Sequence, residues 1–190
     1  MSKKESEETE NFLSKQLLET RTIIISDSID NELSDTVIKQ ALLLEKLDAR
    51  KEIKVLINSH GGEVYSGYAI YDVLHFISCP ITTIVIGLAA SMGSILSQVG
   101  VKGKRLALPN ARIMIHQPLL QRAEGQTTDL EIHSRQILKL REELAELYAC
   151  KTGQDMKKIL KDMDRDYWMT AEESLAYGLI DKIITTREGL

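Results

Sequence analysis

The stretch ITTIVIGLAASMGSIL, residues 81–96, combines the two local patterns that recur along this chain. Its first part, ITTIVI, is short, rich in β-branched residues and apolar on both faces, which predicts a buried strand that ends near Ile86. Its second part starts at Gly87 and places small residues around Ser91, which predicts a helix close behind the strand. A buried strand followed by a helix is the building unit of an α/β fold.

The same stretch lies inside residues 76–101, which carry no charged side chain and exceed the roughly 18 residues that indicate a membrane span. The segment is nevertheless interrupted by proline, glycine and polar residues, namely Pro80, Gly87, Gly93, Gly100, Thr82, Thr83, Ser91, Ser94, Ser97 and Gln98. We therefore expect it to fold inside a protein core, with no membrane as partner.

Further strands and helices are predicted on both sides. Four more apolar or β-branched runs have strand character: TIIIS (22–26), IKVLIN (53–58), RLALP (105–109) and ARIMIH (111–116). The longest helical pattern runs from Asp129 to Cys150, with its apolar positions expected inside: Ile132, Ile137, Leu140, Leu144 and Leu147. Strands that alternate with helices predict a mostly parallel sheet.

Composition limits the number of domains and the kinds of partner. A chain of 190 residues with 43% hydrophobic residues is enough for one core, so we expect one domain over residues 21–190. Residues 1–20 are expected to form a flexible segment and the start of the first helix, because MSKKESEETEN lacks the apolar run of a targeting signal. The net charge of −4 disfavours nucleic acid as a partner.

The two cysteines, Cys79 and Cys150, lie far apart and have no metal-ligand spacing. They follow no export signal, so a reducing compartment is the simplest setting. We expect the protein to be cytoplasmic and to bind no metal.

The local sequence around Ser91 has two interpretations. A serine at the start of a helix is usually a cap or a packing residue. Alternatively, its hydroxyl is a nucleophile, and the Met92 amide at the helix start stabilises the oxyanion that forms when a carbonyl is attacked. The motif is not the G-x-S-x-G elbow of the α/β-hydrolases, because Ala89 stands at the first glycine position.

The turn NSHGGEV, residues 58–64, offers a second oxyanion donor. Gly61 and Gly62 allow backbone conformations and close approaches that a side chain would prevent. Glycine pairs after strands are common, so the turn alone is a weak signal. His60 precedes the pair and is expected to be an exposed turn residue.

Among the four histidines, His116 is the best candidate for a base that reaches Ser91. His75 and His133 fall within helical patterns, where a structural role is usual. His116 ends the strand ARIMIH, and ligands of open α/β sheets collect at the carboxyl ends of strands.

An aspartate that orients the base is expected before the last helix, where Thr170 and Glu173 form a capping-box pattern. Asp162, Asp164 and Asp166 are the candidates. Asp166 adjoins the apolar run Tyr167–Met169, so it is the one expected to be drawn inward, although a surface carboxylate fits the same pattern.

Five ordered blocks then give the chain a family resemblance: INSHGGEV (57–64), GLAASMGS (87–94), ARIMIHQP (111–118), GQTTDLEIHSRQIL (125–138) and RDYWMTAEESLAYGLIDKI (165–183). Together they resemble the family of Clp protease proteolytic subunits, and the match runs from Thr22 to Thr185. The resemblance implies a crotonase-like α/β fold, a superhelix of repeated ββα units with a protruding long helix, or handle.

The resemblance also implies the site and its partners. It makes Ser91 the nucleophile, His116 the general base and Asp166 the orienting acid, with the Gly62 and Met92 amides as oxyanion donors. Substrate-strand binding would fall on Glu63, Val64, Pro118 and Leu119. The implied assembly is two stacked heptameric rings of this subunit or of it and a paralogue. An AAA+ unfoldase of the Clp family would use ATP to deliver unfolded polypeptides, while this subunit itself needs no cofactor.

The chain departs from the family pattern in several places. His60 replaces the usual proline before the glycine pair, and residues 119–124 lack the usual glycines after Pro118. The usual N-terminal segment that engages the ATPase is not recognisable, and GLAASMGS and RDYWM are similar to a divergent paralogue of bacteria with two such subunits.

Two rival hypotheses remain, and the departures motivate the first. One is a non-catalytic or conditionally active structural subunit of a mixed ring. The other is an acyl-CoA enzyme, since the crotonase fold also hosts that chemistry.

Overall fold

The computed structural model describes residues 12–119 and 126–189. Seven strands form one sheet: β1 (Thr22–Ile25), β2 (Ile53–Ser59), β3 (Ile81–Ala90), β4 (Arg105–Ala107), β5 (Arg112–Ile115), β6 (Tyr167–Thr170) and β7 (Lys182–Ile183). The described helices are α1 (residues 12–19), α2 (Asn31–Leu47), α3 (Val64–Phe76), α4 (Met92–Ser97), α5 (Thr127–Thr152), α6 (Met156–Asp162) and α7 (Ala171–Tyr177). Residues 1–11 of the predicted N-terminal segment lie outside the described part.

The sheet is mostly parallel, as the alternation of strands and helices predicts. Its main order is β1-β2-β3-β4-β7, and all of these neighbours run parallel. Strand β5 also pairs with β3 in parallel, whereas β6 runs antiparallel to β5. The predicted mixed α/β fold is confirmed.

Strand β3 changes neighbours near its middle. It pairs with β4 from Thr83 to Val85 and with β5 from Leu88 to Ala90. At the change, the Asn58 side-chain oxygen accepts the Leu88 amide proton at 3.1 Å, in the place of a ladder bond. A Cβ on Gly87 would lie 2.5 Å from that oxygen. The predicted end of this strand at Ile86 is therefore wrong: Gly87 marks an exchange of partners, and the strand continues to Ala90.

Helix α5 protrudes from the body. It has 26 residues, of which Leu144, Ala145 and Tyr148 are buried, and all three lie in its C-terminal part. Leu130, Ile132 and Leu138 are exposed by 37%, 50% and 56%. The expectation that Ile132 faces the core is wrong, because the N-terminal half of the helix extends beyond the sheet and has no core to face.

The C-terminal region contains two elements that the sequence analysis did not predict, α6 and β6. Between β6 and Gly178, the predicted capping box is present: Thr170 Oγ1 accepts the Glu173 amide proton at 3.2 Å, and the Glu173 carboxylate accepts the Thr170 amide proton at 2.7 Å. Gly178 ends α7 in a left-handed conformation. Of the helices in the described ranges, none combines the length and the apolar character needed to cross a bilayer.

A buried polar network centred on Arg105 of β4 joins the sheet to the helices around it. Arg105 donates to both carboxylate oxygens of Asp181, to Gln98 Oε1 at 3.0 Å and to the backbone oxygens of Lys151 and Gly178. Burial acts to raise the pKa of Asp181, but hydrogen bonds from the Arg105 side chain and from backbone amides outweigh it and hold the pKa below its usual value.

This network predicts a pH-dependent contribution to stability. Because the folded-state pKa of Asp181 is depressed, the stabilisation is present above the unfolded-state pKa of about 4 and is lost as pH falls towards the folded-state value. We expect Asp181→Asn to lower the free energy of unfolding by about 2 kcal/mol at pH 7, with the gap closing below about pH 4. Urea denaturation at several pH values measures it. The exposed Glu146→Gln serves as control, and an Asp181→Asn gap that does not change with pH would contradict the assignment.

Candidate active site

Ser91 links the end of β3 to the start of α4 in a strained conformation. Its φ of 54° and ψ of −125° lie where non-glycine residues are rare, and in the described residues Arg21 is the one other non-glycine residue with positive φ. Its hydroxyl makes no capping bond to α4, although Ser91 stands at the N-cap position. Its own amide proton is donated to Met114 O at 3.0 Å. The Ser91 side chain is therefore not held in place by a capping hydrogen bond.

The Ser91 hydroxyl instead faces His116. Ser91 Oγ lies 2.8 Å from His116 Nε2, and His116 Nδ1 lies 3.0 Å from Asp166 Oδ1. An ionised carboxylate can only accept, so Nδ1 carries the proton and donates it to Asp166. Nε2 then has a free lone pair, which accepts the Ser91 hydroxyl proton. The structure thus brings the three residues into one line of hydrogen bonds.

The register of β5 and β6 places the last two members of this line. In the antiparallel pair, Ile115 lies opposite Tyr167, so the next residues outward, His116 and Asp166, face each other. The Asp166 side chain is 58% exposed, while that of His116 is 12% exposed. Of the two alternatives that the local sequence left open for Asp166, the structure shows the surface carboxylate: backbone pairing, not burial, positions this side chain.

Gln117 holds the loop that carries His116, and the sequence analysis did not select it. Its amide donates to Met163 O at 2.6 Å, and its side-chain nitrogen donates to Asp164 O at 2.8 Å. These bonds join the segment after β5 to the segment before β6. A glutamine next to a candidate histidine forms no recognisable motif. Its position directly after His116 was the one feature of the sequence that could have indicated its role.

The other candidate residues are engaged elsewhere. Asp162 accepts from Tyr177 at 2.8 Å and from Lys158 at 2.5 Å, and Asp164 lies 3.8 Å from Arg141. Of the histidines, His75 lies 3.0 Å from Lys151 Nζ and 3.2 Å from the Tyr71 hydroxyl, and His133 is exposed on α5. His60 is exposed, as expected, and also lines the cavity beside Ser91.

Within the described residues, the Gly62 amide of the glycine turn has no hydrogen-bond acceptor. A Cβ on Gly62 would lie 2.2 Å from Ile29 O, so no other residue fits this contact. The bridge between Ile29 and Gly62 uses the Gly61 carbonyl at 2.9 Å and the Glu63 amide at 2.7 Å. The Gly62 amide therefore points away from Ile29.

Met92 supplies a second amide without an intrahelical acceptor, because Met92 is the first residue of α4. Gly62 and Met92 both line the cavity beside Ser91. The two predicted oxyanion donors therefore lie on the wall of one cavity, next to the Ser91 hydroxyl.

This cavity has a volume of about 210 Å³ and is lined by His60, Gly62, Val64, Ser91, Met92, Ile95, His116, Pro118, Leu119, Leu144 and Tyr148. Three of the four residues predicted to bind a substrate strand therefore line the cavity: Val64, Pro118 and Leu119. The fourth, Glu63, does not line the cavity, and its carboxylate accepts the Ser66 hydroxyl at 2.9 Å. A larger cleft of about 550 Å³ between β1 and α2 shares no residue with this site.

A hydroxyl, an imidazole and a carboxylate in line, at the carboxyl end of a parallel sheet, form the arrangement that serine hydrolases use. Comparison with protein families identifies the particular group: the family described as Clp protease matches residues 4–187. The chain belongs to the Clp protease family, a family of peptidases. The departure at residues 119–124 lies, apart from Leu119, outside the described residues.

Gly61 provides a test of how tightly Ser91 is held. With φ at +94°, an added Cβ would lie 2.7 Å from both Ala90 O and Ser91 Cβ. We expect Gly61→Ala to slow the reaction of Ser91 with a fluorophosphonate by at least about tenfold, because a 1 Å misplacement is enough for such losses. The rate of labelling measures it.

Gly103→Ala is the matched control, because Gly103 has a similar φ of +89° but no atom within 4 Å of the added Cβ. Both substitutions cost about 1 kcal/mol of backbone strain. Equal labelling by the two variants would show that the contact with Ser91 is unimportant.

Proposed function

We propose that this chain is the proteolytic subunit of an ATP-dependent Clp protease, which hydrolyses peptide bonds of unfolded polypeptides inside a barrel-shaped oligomer. Ser91, His116 and Asp166 are the proposed catalytic residues. The observation that carries the proposal is the line of hydrogen bonds at 2.8 Å and 3.0 Å from the Ser91 hydroxyl through His116 to Asp166.

The proposed reaction follows from the direction of these bonds. His116 Nε2 takes the hydroxyl proton as Ser91 Oγ attacks the carbonyl carbon of the peptide bond, and Asp166 stabilises the imidazolium that forms. The amides of Gly62 and Met92 donate to the resulting oxyanion. As the C–N bond breaks, His116 returns the proton to the leaving amine. Water, activated by the same imidazole, then hydrolyses the acyl-enzyme and frees Ser91.

The cavity favours an apolar substrate side chain next to the scissile bond. Seven of its described lining residues are apolar or aromatic. Besides Pro118 and Leu119, these are five residues of three different helices: Val64, Met92, Ile95, Leu144 and Tyr148. No carboxylate, lysine or arginine is among the described lining residues, so a charged side chain would be desolvated there without a partner. Selection of whole proteins would then depend on access to the chamber and on unfolding by the ATPase partner.

Variants of the first two proposed catalytic residues test the mechanism. We expect Ser91→Ala or His116→Ala to lower kcat on a fluorogenic peptide by several orders of magnitude, because each removes a group that the proton transfer needs. The exposed residues Ser78 and His133 supply matched controls, Ser78→Ala and His133→Ala, which should retain full activity. Fluorophosphonate labelling that persists in Ser91→Ala would refute the nucleophile assignment.

A non-catalytic or conditionally active subunit of a mixed ring is the second candidate, and the chain's departures favour it. His60, in place of the family's proline, lines the cavity next to an oxyanion donor, and Leu119 begins the segment that lacks the family's glycines. The peptide assay separates the two candidates when it is run with the chain alone and mixed with a paralogous subunit. Activity of the mixture that Ser91→Ala does not change would support the second candidate.

The exposed part of α5 supports assembly into stacked rings. Leu130, Ile132 and Leu138 place apolar surface on a helix that protrudes from the body, and such surface usually marks a protein contact. We propose two heptameric rings of this subunit, alone or with a paralogue, and an AAA+ unfoldase that consumes the ATP. The cytoplasmic setting expected from the two free cysteines remains a prediction.

A charge on α5 tests the assembly surface. We expect Leu138→Glu to shift the native mass from ring assemblies to smaller species, because a carboxylate buried in an apolar contact has no partner there. Gln136→Glu adds the same charge at an exposed polar position of the same helix and should leave the mass unchanged. Native mass measurement of both variants, with and without the paralogous subunit, tests this expectation. The same mass for both variants would exclude Leu138 from the contact.

A further inference from the structure

Helix α5 contributes one aromatic side chain to the cavity beside Ser91. Tyr148 is 1% exposed, and its hydroxyl oxygen lies 2.5 Å from Ser94 Oγ. Burial raises the pKa of this hydroxyl well above its usual range, although the hydrogen bond with Ser94 acts to lower it. The group is therefore a neutral O–H that joins α5 to α4, the helix that begins directly after Ser91.

The proton inventory sets the direction of this bond. Ser94 Oγ also lies 2.6 Å from the Ser91 carbonyl oxygen, which can only accept. A serine hydroxyl has one proton, so Ser94 donates it to the Ser91 carbonyl and accepts the proton of Tyr148. The result is a directed chain from Tyr148 through Ser94 to the backbone of Ser91.

Three donors of the described residues hold the Ser91 carbonyl. Besides the Ser94 hydroxyl, it accepts the Ser94 amide proton at 2.9 Å and the Ile95 amide proton at 3.3 Å. The planar trans peptide that contains this carbonyl also contains the Met92 N–H, which points in the opposite direction. Bonds that fix the carbonyl therefore also fix the aim of the Met92 amide towards the cavity.

We propose that Tyr148 is a positioning residue for the oxyanion donor of Met92, acting through Ser94. This inference rests on the proposed function, because the aim of the amide matters only where an oxyanion forms. Tyr148 touches the cavity with its ring and acts on Met92 with its hydroxyl. The two roles can be separated, because Tyr148→Phe removes the hydroxyl and keeps the ring.

The test uses the assembled protein and three variants: Tyr148→Phe, Ser94→Ala and the two combined. Loss of a whole oxyanion donor costs about 10²- to 10³-fold in kcat, and a misdirected donor should cost less, about tenfold. We expect each single variant to lower kcat about tenfold with KM unchanged within about twofold. The double variant should lose no more than either single one, because all three interrupt the same chain.

A peptide boronate supplies a readout that a merely structural role would not move. Its tetrahedral adduct with Ser91 places an oxygen at the oxyanion position, so its inhibition constant should rise about tenfold in the same three variants. Tyr71→Phe is the control, because it also removes the hydroxyl of a buried tyrosine. The Tyr71 hydroxyl bonds to His75, and both residues lie on α3. Tyr71→Phe should change neither kcat nor boronate affinity, and native mass checks that every variant assembles.

The outcomes separate this inference from the proposed function. A wild-type protein without peptide hydrolysis and without Ser91-dependent labelling would overturn both. An active wild type with a Tyr148→Phe variant that behaves like Tyr71→Phe would overturn the positioning role alone. A raised KM with unchanged kcat would likewise overturn it, since that result assigns Tyr148 to substrate binding.

Discussion

Strand β3 is hydrogen-bonded to β4 along Thr83–Val85 and to β5 along Leu88–Ala90, and the position of the site follows from this exchange. Ser91 follows the last residue of β3, and His116 follows the last residue of β5. Because the two strands are parallel neighbours at their carboxyl ends, the two side chains come within 2.8 Å of each other. The antiparallel β6 then brings Asp166 to the far side of the imidazole. One change of partner, made possible by Gly87 and Asn58, therefore assembles residues that lie far apart in sequence.

The exposure of Asp166 shows what kind of interaction holds the line together. At 58% exposure, the attraction between a carboxylate and an imidazolium is weakened by solvent, so charge alone would not fix the ring. The backbone bonds of the β5–β6 pair, and the Gln117 bonds to Met163 and Asp164, restrict the two loops instead. Orientation here comes from hydrogen-bonded backbone rather than from a low dielectric.

The sequence was informative where a residue's role is local. Buried strands and the capping box of Thr170 and Glu173 have short-range signatures, and so have glycines that meet a neighbouring backbone, such as Gly62. The exchange of strand partners at Gly87 has no such signature, because it depends on Asn58 of the neighbouring strand β2, which lies 30 residues from Leu88 in sequence. The short strand β6 was missed because its run YWMT is exposed at its first two residues and its pairing with β5 is a long-range contact. The local sequence of Asp166 likewise left open whether its carboxylate is buried or exposed. Ser91, His116 and Asp166 could be selected as candidates, but their convergence depends on a register that no local pattern encodes.

Helix α5 connects the two levels at which the protein is proposed to work. Its exposed half offers apolar side chains for contact between subunits, while Tyr148 at its buried end bonds to the helix that begins after Ser91. A continuous α-helix transmits a displacement along its axis, because its backbone bonds resist stretching and bending. A shift of α5 that accompanies assembly would therefore reach Ser94 and the Ser91–Met92 peptide without any change in β3 or β5. In the proposed mechanism, the line from Ser91 to Asp166 is set by the sheet, whereas the aim of the Met92 amide depends on the contact of α5 with Ser94. The proposed oxyanion donor would then be the part of the site that contacts between subunits adjust.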